Sequence, residues 1–296
     1  MSAIDVTAVV LNFRTPQKTL DCLGSLAAND VRRIVLVENS EDGGTAIRVM
    51  RGGLAHLSAE GISIVVIDEG RNLGFAAGVN RALQLIRAND WGHALLLNSD
   101  ARLQPDALPR LVQALHRGAG MAAPTIVDES GVAQAIEHGY YQKYLALLLA
   151  RRWPGCTQFF SGACLLLSKE IVGDALFDED FFFYGEDVAL SACLKRRGLA
   201  CVSVEDAKVI HEVSGSARNG SLFYEYHINR GHWLTATKLA RNPLERYLFV
   251  AARCLTLPLR ALARSIRLRS LVAWQGLFAA TADVLRGRCR SHTPPP

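Results

Sequence analysis

Asn98 and Asp100 stand two apart directly after the apolar run 93–97, so at a strand end both side chains are directed to one side and Ser99 to the other. Two oxygen donors at that spacing suit a hard divalent cation, Mg2+ or Mn2+, which completes its shell with substrate phosphates more readily than with an all-protein cage. The spacing equally suits an ordinary turn cap, because Asn and Asp side chains bond nearby backbone. Further along, Phe-Asp-Glu-Asp-Phe-Phe-Phe-Tyr-Gly-Glu-Asp (177–187) sets a run of aromatics, Phe183 and Tyr184 among them, before the acidic pair Glu186 and Asp187. In the first turn of a helix such acids offset the macrodipole. At the lip of an aromatic-lined cleft, one of them can instead take the proton from a hydroxyl nucleophile. His211 follows the strand-like stretch 207–210 and precedes 214–221, a run of small and polar residues read as a mobile loop. A histidine there serves either as a satisfied structural group or as a ligand. The stretch 69–80 is a glycine-rich strand-to-helix turn that lacks the dinucleotide and phosphate-loop patterns. Its Arg71, Asn72, Gly74 and Gly78 either permit close helix packing or receive a diphosphate at a helix start.

These residues need elements to hold them. Short β-branched runs at 6–11, 34–37, 62–67 and 93–97 alternate with helical patterns at 16–28 and 75–87, which predicts a mostly parallel sheet covered by helices. Gly43-Gly44, Gly52-Gly53 and residues 68–70 read as turns, 105–117 as a helix and 159–167 as a strand. Polar residues cluster where the first strands end, at Asn12, Glu38-Asn39, Arg71-Asn72 and residues 98–100. In open α/β sheets ligands bind beyond the carboxyl ends of the strands, so the clusters predict one converging cleft.

The chain of 296 residues is half apolar and 21% charged, enough to bury a large core. Its seven cysteines are scattered without a Cys-x-x-Cys pair and read as buried thiols of a reducing compartment. The start shows no secretory pattern, and no apolar run approaches the roughly 20 residues a spanning helix needs. We therefore expect a cytoplasmic protein divided into a catalytic domain over 1–240 and a basic amphipathic helical tail over 241–296. From Pro243 onward there are nine arginines against two acids, so the whole basic excess lies in the tail. Arg246, Arg253, Arg260, Arg264 and Arg267 fall within roughly 60° on a helix, and Pro258 predicts that the tail is split into two helices. One reading is a solvated face of a packed appendage. The favoured one is an interfacial segment resting its arginines on anionic lipid. Nucleic acid is the weaker partner, since few aromatics are interleaved for base stacking.

Taken as a set, VVLNFR, LVENS, RNLGFAAGVNRAL, LLLNSDARLQPDAL, FFSGACLLLSKE, FDEDFFFYGEDVALSACLKRRG and AKVIHEVSGS resemble the inverting glycosyltransferases of family 2 with the GT-A fold, in particular the rhamnosyltransferase-like branch. The likeness runs over about residues 6–211. It implies a nucleotide-diphospho-sugar transferase fold with a C-terminal helical appendage, and a metal held by Asp100 and His211 near Asn98. It further implies that Asn12, Glu38, Asn39 and Asn72 face the donor nucleoside and ribose, and that Asp187 is the catalytic base. Glu38 replaces a more usual aspartate, and Ala189 stands where the family usually has another acid. The implied donor is a nucleotide sugar, deoxythymidine-diphosphate rhamnose first. The implied acceptor is a glycan or a polyprenyl-diphosphate-linked sugar at the inner face of the cell membrane. A nucleotidyltransferase and a non-catalytic nucleotide-sugar-binding module remain as alternatives.

Overall fold

The computed structural model describes residues 5–134, 138–172, 175–211 and 220–287. In chain order its elements are β1 (Val6–Asn12), α1 (Pro16–Ala28), β2 (Arg33–Glu38), α2 (Thr45–Ala59), β3 (Ser63–Asp68), α3 (Gly74–Ala88), β4 (His93–Asn98), β5 (Ala101–Leu103), α4 (Ala107–His116) and β6 (Met121–Val127). There follow β7 (Tyr140–Gln142), β8 (Leu147–Leu149), β9 (Cys156–Gln158), β10 (Cys164–Leu167), α5 (Glu186–Arg196) and β11 (Cys201–His211). The chain closes with α6 (Leu222–Lys238), α7 (Pro243–Leu268) and α8 (Val272–Leu285).

One sheet has the order β3-β2-β1-β4-β10-β6-β11-β5, and β7, β8 and β9 form a separate antiparallel sheet. Strands β1 to β4 run parallel; β1, β2 and β4 are near-continuous apolar runs covered on both faces, while β3 at the edge is part-exposed. Cys22, Leu23 and Leu26 of α1, Met50 of α2 and Leu111 of α4 fill the core on one face. Val79, Leu83 and Ile86 of α3 with Leu190 and Leu194 of α5 fill the other. A third apolar cluster, with Tyr141, Phe159, Val188, Leu257 and Leu277, joins the small sheet to α5 and the last helices.

Three expectations give way. Gly52-Gly53 does not turn but lies inside α2, where a Cβ on Gly53 would stand 2.6 Å from a Leu20 methyl; the glycine is there so that α1 and α2 can approach. Of the strand expected over 159–167 only 164–167 forms one, β10; β9 ends at Gln158 and belongs to the other sheet, and residues 159–163 link the two. In the tail, α7 runs on through Pro258, and the break falls at Arg269, whose left-handed φ of 51° caps the helix. The loop expected over 214–221 lies mostly outside the described residues. Of the seven cysteines expected to be buried, Cys22 and Cys164 are, Cys156, Cys193 and Cys201 are half-buried, Cys254 is exposed on α7, and Cys289 lies outside the described residues.

Candidate active site

β4 ends at Asn98 and the chain turns through Ser99 and Asp100 into β5, which pairs antiparallel with the end of β11 so that Ala101 faces His211. That register brings two residues distant in sequence together: His211 Nε2 lies 3.3 Å from Asp100 Oδ1, with both side chains largely buried. Among the described residues no group of three or more His, Cys, Asp or Glu side chains is placed to hold a metal. A carboxylate and an imidazole are a fit for a hard divalent ion that takes its remaining ligands from phosphate and water.

Asp100, with His211 against it, borders a cleft of about 690 Å³, open to solvent, at the carboxyl ends of the parallel strands. Asn98, Ser99, Asp100, Asn39, Asn72, Gly74 and Phe183 line it, as do Leu11, Phe13, Thr15, Phe75, Phe182 and Phe223. Ser99 does not point away as strand alternation suggested. The strand has already ended, and Ser99 Oγ lies 3.4 Å from Thr15 Oγ1.

Other expected donor contacts turn inward. Asn12 is fully buried and donates to Glu38 Oε2 at 2.7 Å and to Ser40 Oγ at 3.1 Å, while Thr19 Oγ1 donates to its carbonyl. The second Glu38 oxygen accepts from the Ser40 amide at 2.6 Å. Neither residue lines the cleft; together they fix the turns that do. Asn39 is on the wall, but its amide is engaged with Gly74 O and Leu73 N–H across the turn.

The helix start at 72–75 is tied down within the protein. Its four amides already have partners: Asn72 donates to Glu41, Leu73 to Asn39, Gly74 to the Asn72 side chain and Phe75 to Phe182 O. Arg71 is exposed and lines a separate depression with Glu69, Arg81 and Glu179. Gly78 faces Leu11, Asn39 and Val37, where a Cβ would meet Leu11 at 3.0 Å, so it is a packing glycine. Gly74 has φ 75°, and a Cβ there would meet Phe182 O at 2.6 Å, so both its conformation and its neighbour demand glycine.

The acidic pair opens α5 as expected, but it lines an adjoining chamber of about 500 Å³ with Tyr184, Tyr141, Leu148, Phe159, Ile228 and His232. Phe183 borders the first space and Tyr184 the second, their rings 4.4 Å apart, so the aromatic run is the partition. The chain passes it by left-handed turns at Tyr184 and Gly185, and α6 comes close enough that a Cβ on Gly231 would stand 2.4 Å from Tyr184 O. Glu186 is buried, and its Oε2 has no hydrogen-bond partner among the described residues. Burial, then the neighbouring Asp187, push its carboxyl up to about 8, so it keeps its proton at neutral pH. Asp187 Oδ1 accepts from the Val188 amide at 2.7 Å. His232, at the back of the chamber, is held well below the usual imidazole range by burial and then by Arg260 and Arg253, so it is neutral and shares a hydrogen bond with Tyr141.

Three of the five arginines of the expected cationic face are turned inward, while Arg246 and Arg267 are exposed. Arg253 is fully buried and donates to His232 O, Tyr144 O and the Tyr141 hydroxyl. Arg260 and Arg264 both reach the buried carboxylate of Glu225 on α6. These three therefore cannot rest on lipid, whatever else the tail touches.

Sequence reasoning missed Phe13, Thr15, Phe182 and Phe223. Phe182 was within the quoted run, and Phe13 follows a strand-end asparagine. Phe223 gave no signal, since it comes from α6 and reaches the cleft only through the fold.

The chain belongs to the family described as Glycosyltransferase like family 2, whose family model matches residues 4–236. It is a glycosyltransferase of the GT-A fold, as the resemblance implied. It is 25% identical over 224 residues to the N-acetylglucosaminyl-diphospho-decaprenol L-rhamnosyltransferase of Mycobacterium tuberculosis, covering 64% of this chain and 68% of the relative. Among solved structures it is similar to the mannosyltransferase PcManGT from Pyrobaculum calidifontis in complex with GDP-Man and Mn2+, with TM-score 0.58, 16% identity and coverage of 96% and 88% of the two chains. It is similar also to residues 1–349 of S. aureus TarS, with TM-score 0.52, 13% identity and coverage of 96% and 82%.

Proposed function

We propose that this enzyme is a metal-dependent, inverting transferase. It moves a sugar, with deoxythymidine-diphosphate rhamnose the leading donor, to a hydroxyl of a lipid-linked glycan at the cytoplasmic face of the cell membrane. The observation that carries the reading is the Asp100–His211 pair at the edge of a cleft whose neighbouring chamber holds an acidic pair behind an aromatic partition. The rhamnosyl and polyprenyl assignments take further support from the name of the mycobacterial relative, and the metal from the Mn2+ bound in the mannosyltransferase structure.

In this reading the donor occupies the first cleft. Asp100 and His211 hold Mg2+ or Mn2+ against the diphosphate, with Asn98, Ser99 and Thr15 alongside. The ion, when bound, neutralises charge growing on the departing nucleoside diphosphate. The acceptor enters the second chamber, and Asp187 takes the proton of its hydroxyl as that oxygen attacks the anomeric carbon from the face opposite the leaving group. Glu186 keeps its own proton at neutral pH, so it offers the acceptor a hydrogen-bond donor and leaves the role of base to Asp187. Phe183 and Tyr184 present ring faces at the junction, where a sugar can stack.

Incubation with a panel of nucleotide sugars, with and without Mn2+ or Mg2+, tests the proposal through slow release of nucleoside diphosphate by water. Metal-dependent release from one donor is expected. Release of pyrophosphate from a nucleoside triphosphate and a sugar 1-phosphate, with no diphosphate release from any nucleotide sugar, would make the chain a nucleotidyltransferase, and binding without turnover would make it a sugar-nucleotide-binding module.

A further inference from the structure

Helix α7 is amphipathic in the reverse of the usual sense. Its charged face is packed inward through Arg253, Arg260 and Arg264, and its apolar face looks out. Leu244, Leu248, Leu255, Leu259, Leu262 and Ile266 are 42–71% exposed. Their spacing keeps them within about 60° of the helix surface, and no described element covers that stripe. A solvated surface helix does not carry six large apolar side chains in a row, so the stripe has a partner.

The surroundings say which. Exposed arginines stand just beyond both ends of the helix, Arg241 before it and Arg269 at its cap, and the helix has one acid, Glu245. The small sheet continues the surface: the Tyr144 ring packs 4.8 Å from Phe249 of α7, and Arg253 donates to Tyr144 O. Beyond that contact the hairpin exposes Leu145, Leu147, Leu148 and Trp153 next to exposed Arg151 and Arg152. Leucines ringed by arginines match a layer that is apolar inside and anionic at its surface. No helix among the described residues is long and apolar enough to cross a membrane, so the contact is one that lies on the bilayer.

We propose that the outward face of α7, with the leucines of the hairpin, is a membrane-interface surface. It seats on an anionic bilayer with leucines against the acyl chains and flanking arginines among the headgroups. Leu148 both belongs to this exposed patch and lines the chamber of Glu186 and Asp187, so the surface borders the chamber at which a lipid-borne acceptor would arrive. That last step rests on the sugar-transfer reading; the lipid contact does not.

The test is flotation of the full chain with vesicles of equimolar phosphatidylcholine and phosphatidylglycerol, and with phosphatidylcholine alone. Wild type is expected to float with the mixed vesicles and more weakly with the neutral ones. Leu255→Gln/Leu259→Gln/Leu262→Gln should lose retention by about tenfold or more with its melting temperature preserved. Arg241→Gln/Arg269→Gln should lose several-fold on mixed vesicles and little on neutral ones. Wild type that stays with the soluble fraction, or a triple variant that floats like wild type, overturns the inference. So does a wild-type dimer in light scattering that the triple variant dissolves and that ignores vesicles. Donor hydrolysis measured without vesicles separates the two readings: absent hydrolysis with intact flotation strikes the enzymatic proposal and leaves the surface standing.

Discussion

The two chambers spend their polar groups differently. Around the first, the polar residues at the strand ends are largely consumed by one another: Asn12, Glu38, Ser40 and Thr19 form a closed buried network, and Asn39, Asn72 and Glu41 occupy the amides at the start of α3. What faces the cleft is a short polar rim with Asp100 and His211 at its edge. In the second, Glu186 sits with an unbonded oxygen among apolar and aromatic walls, beside Asp187. Polar density alone does not mark where chemistry happens. A network that satisfies itself builds the scaffold, whereas an unsatisfied buried group in a chamber wall is where a ligand is to be sought.

The largest effect that would break this comparison is on turnover. Asp187→Asn should lower it by about 10²- to 10⁴-fold, with donor affinity nearly unchanged, because the base is lost and the shape kept; single-turnover assays with equilibrium donor titration check both halves. Next comes stability. Glu225→Gln removes the buried carboxylate that Arg260 and Arg264 share, and should cost about 3–5 kcal/mol in denaturant unfolding, whereas an effect near zero would mean that those arginines are solvated. Asn12→Ala should cost about 1–3 kcal/mol by orphaning its partners while leaving donor affinity close to wild type. A large loss of affinity with stability intact would return Asn12 to the donor site.

The smallest effect sharpens the second chamber. Glu186 has its folded-state carboxyl raised to about 8 from an ordinary value near 4.5. The stability tied to its neutral form is thus fully present below pH ~4.5 and is lost as pH rises through about 8. Glu186→Gln should abolish that loss, so its melting temperature should exceed that of wild type by a few degrees above pH 8 and match it in acid. Identical alkaline melting of the two proteins would remove the buried proton from the account.

Much of the scaffold was legible because the parallel strands are short apolar runs, buried on both faces in β1, β2 and β4, and their ends were read to within a residue or two. The glycine pair in α2 misled because its purpose, room for Leu20, exists only after α1 and α2 pack. At the site, the residues of the turn after β4 and the acidic pair were found by type and spacing. The inward direction of Asn12 and Glu38 was not, since it depends on how the turns after β1 and β2 fold back onto Ser40. The arginine spacing of the tail was read correctly as one face. A pattern gives periodicity and not orientation, and here the buried face is the charged one, held by Glu225 and the carbonyls of His232 and Tyr144.

The most direct test of the metal-and-carboxylate account is the binding of Mn2+ followed by its electron paramagnetic resonance signal, with and without deoxythymidine diphosphate, in wild type and in Asp100→Asn. The account predicts one Mn2+ site that tightens with the nucleotide in wild type and weakens by an order of magnitude or more in the variant. Equal binding by both proteins, or Mn2+ binding indifferent to the nucleotide, would contradict it.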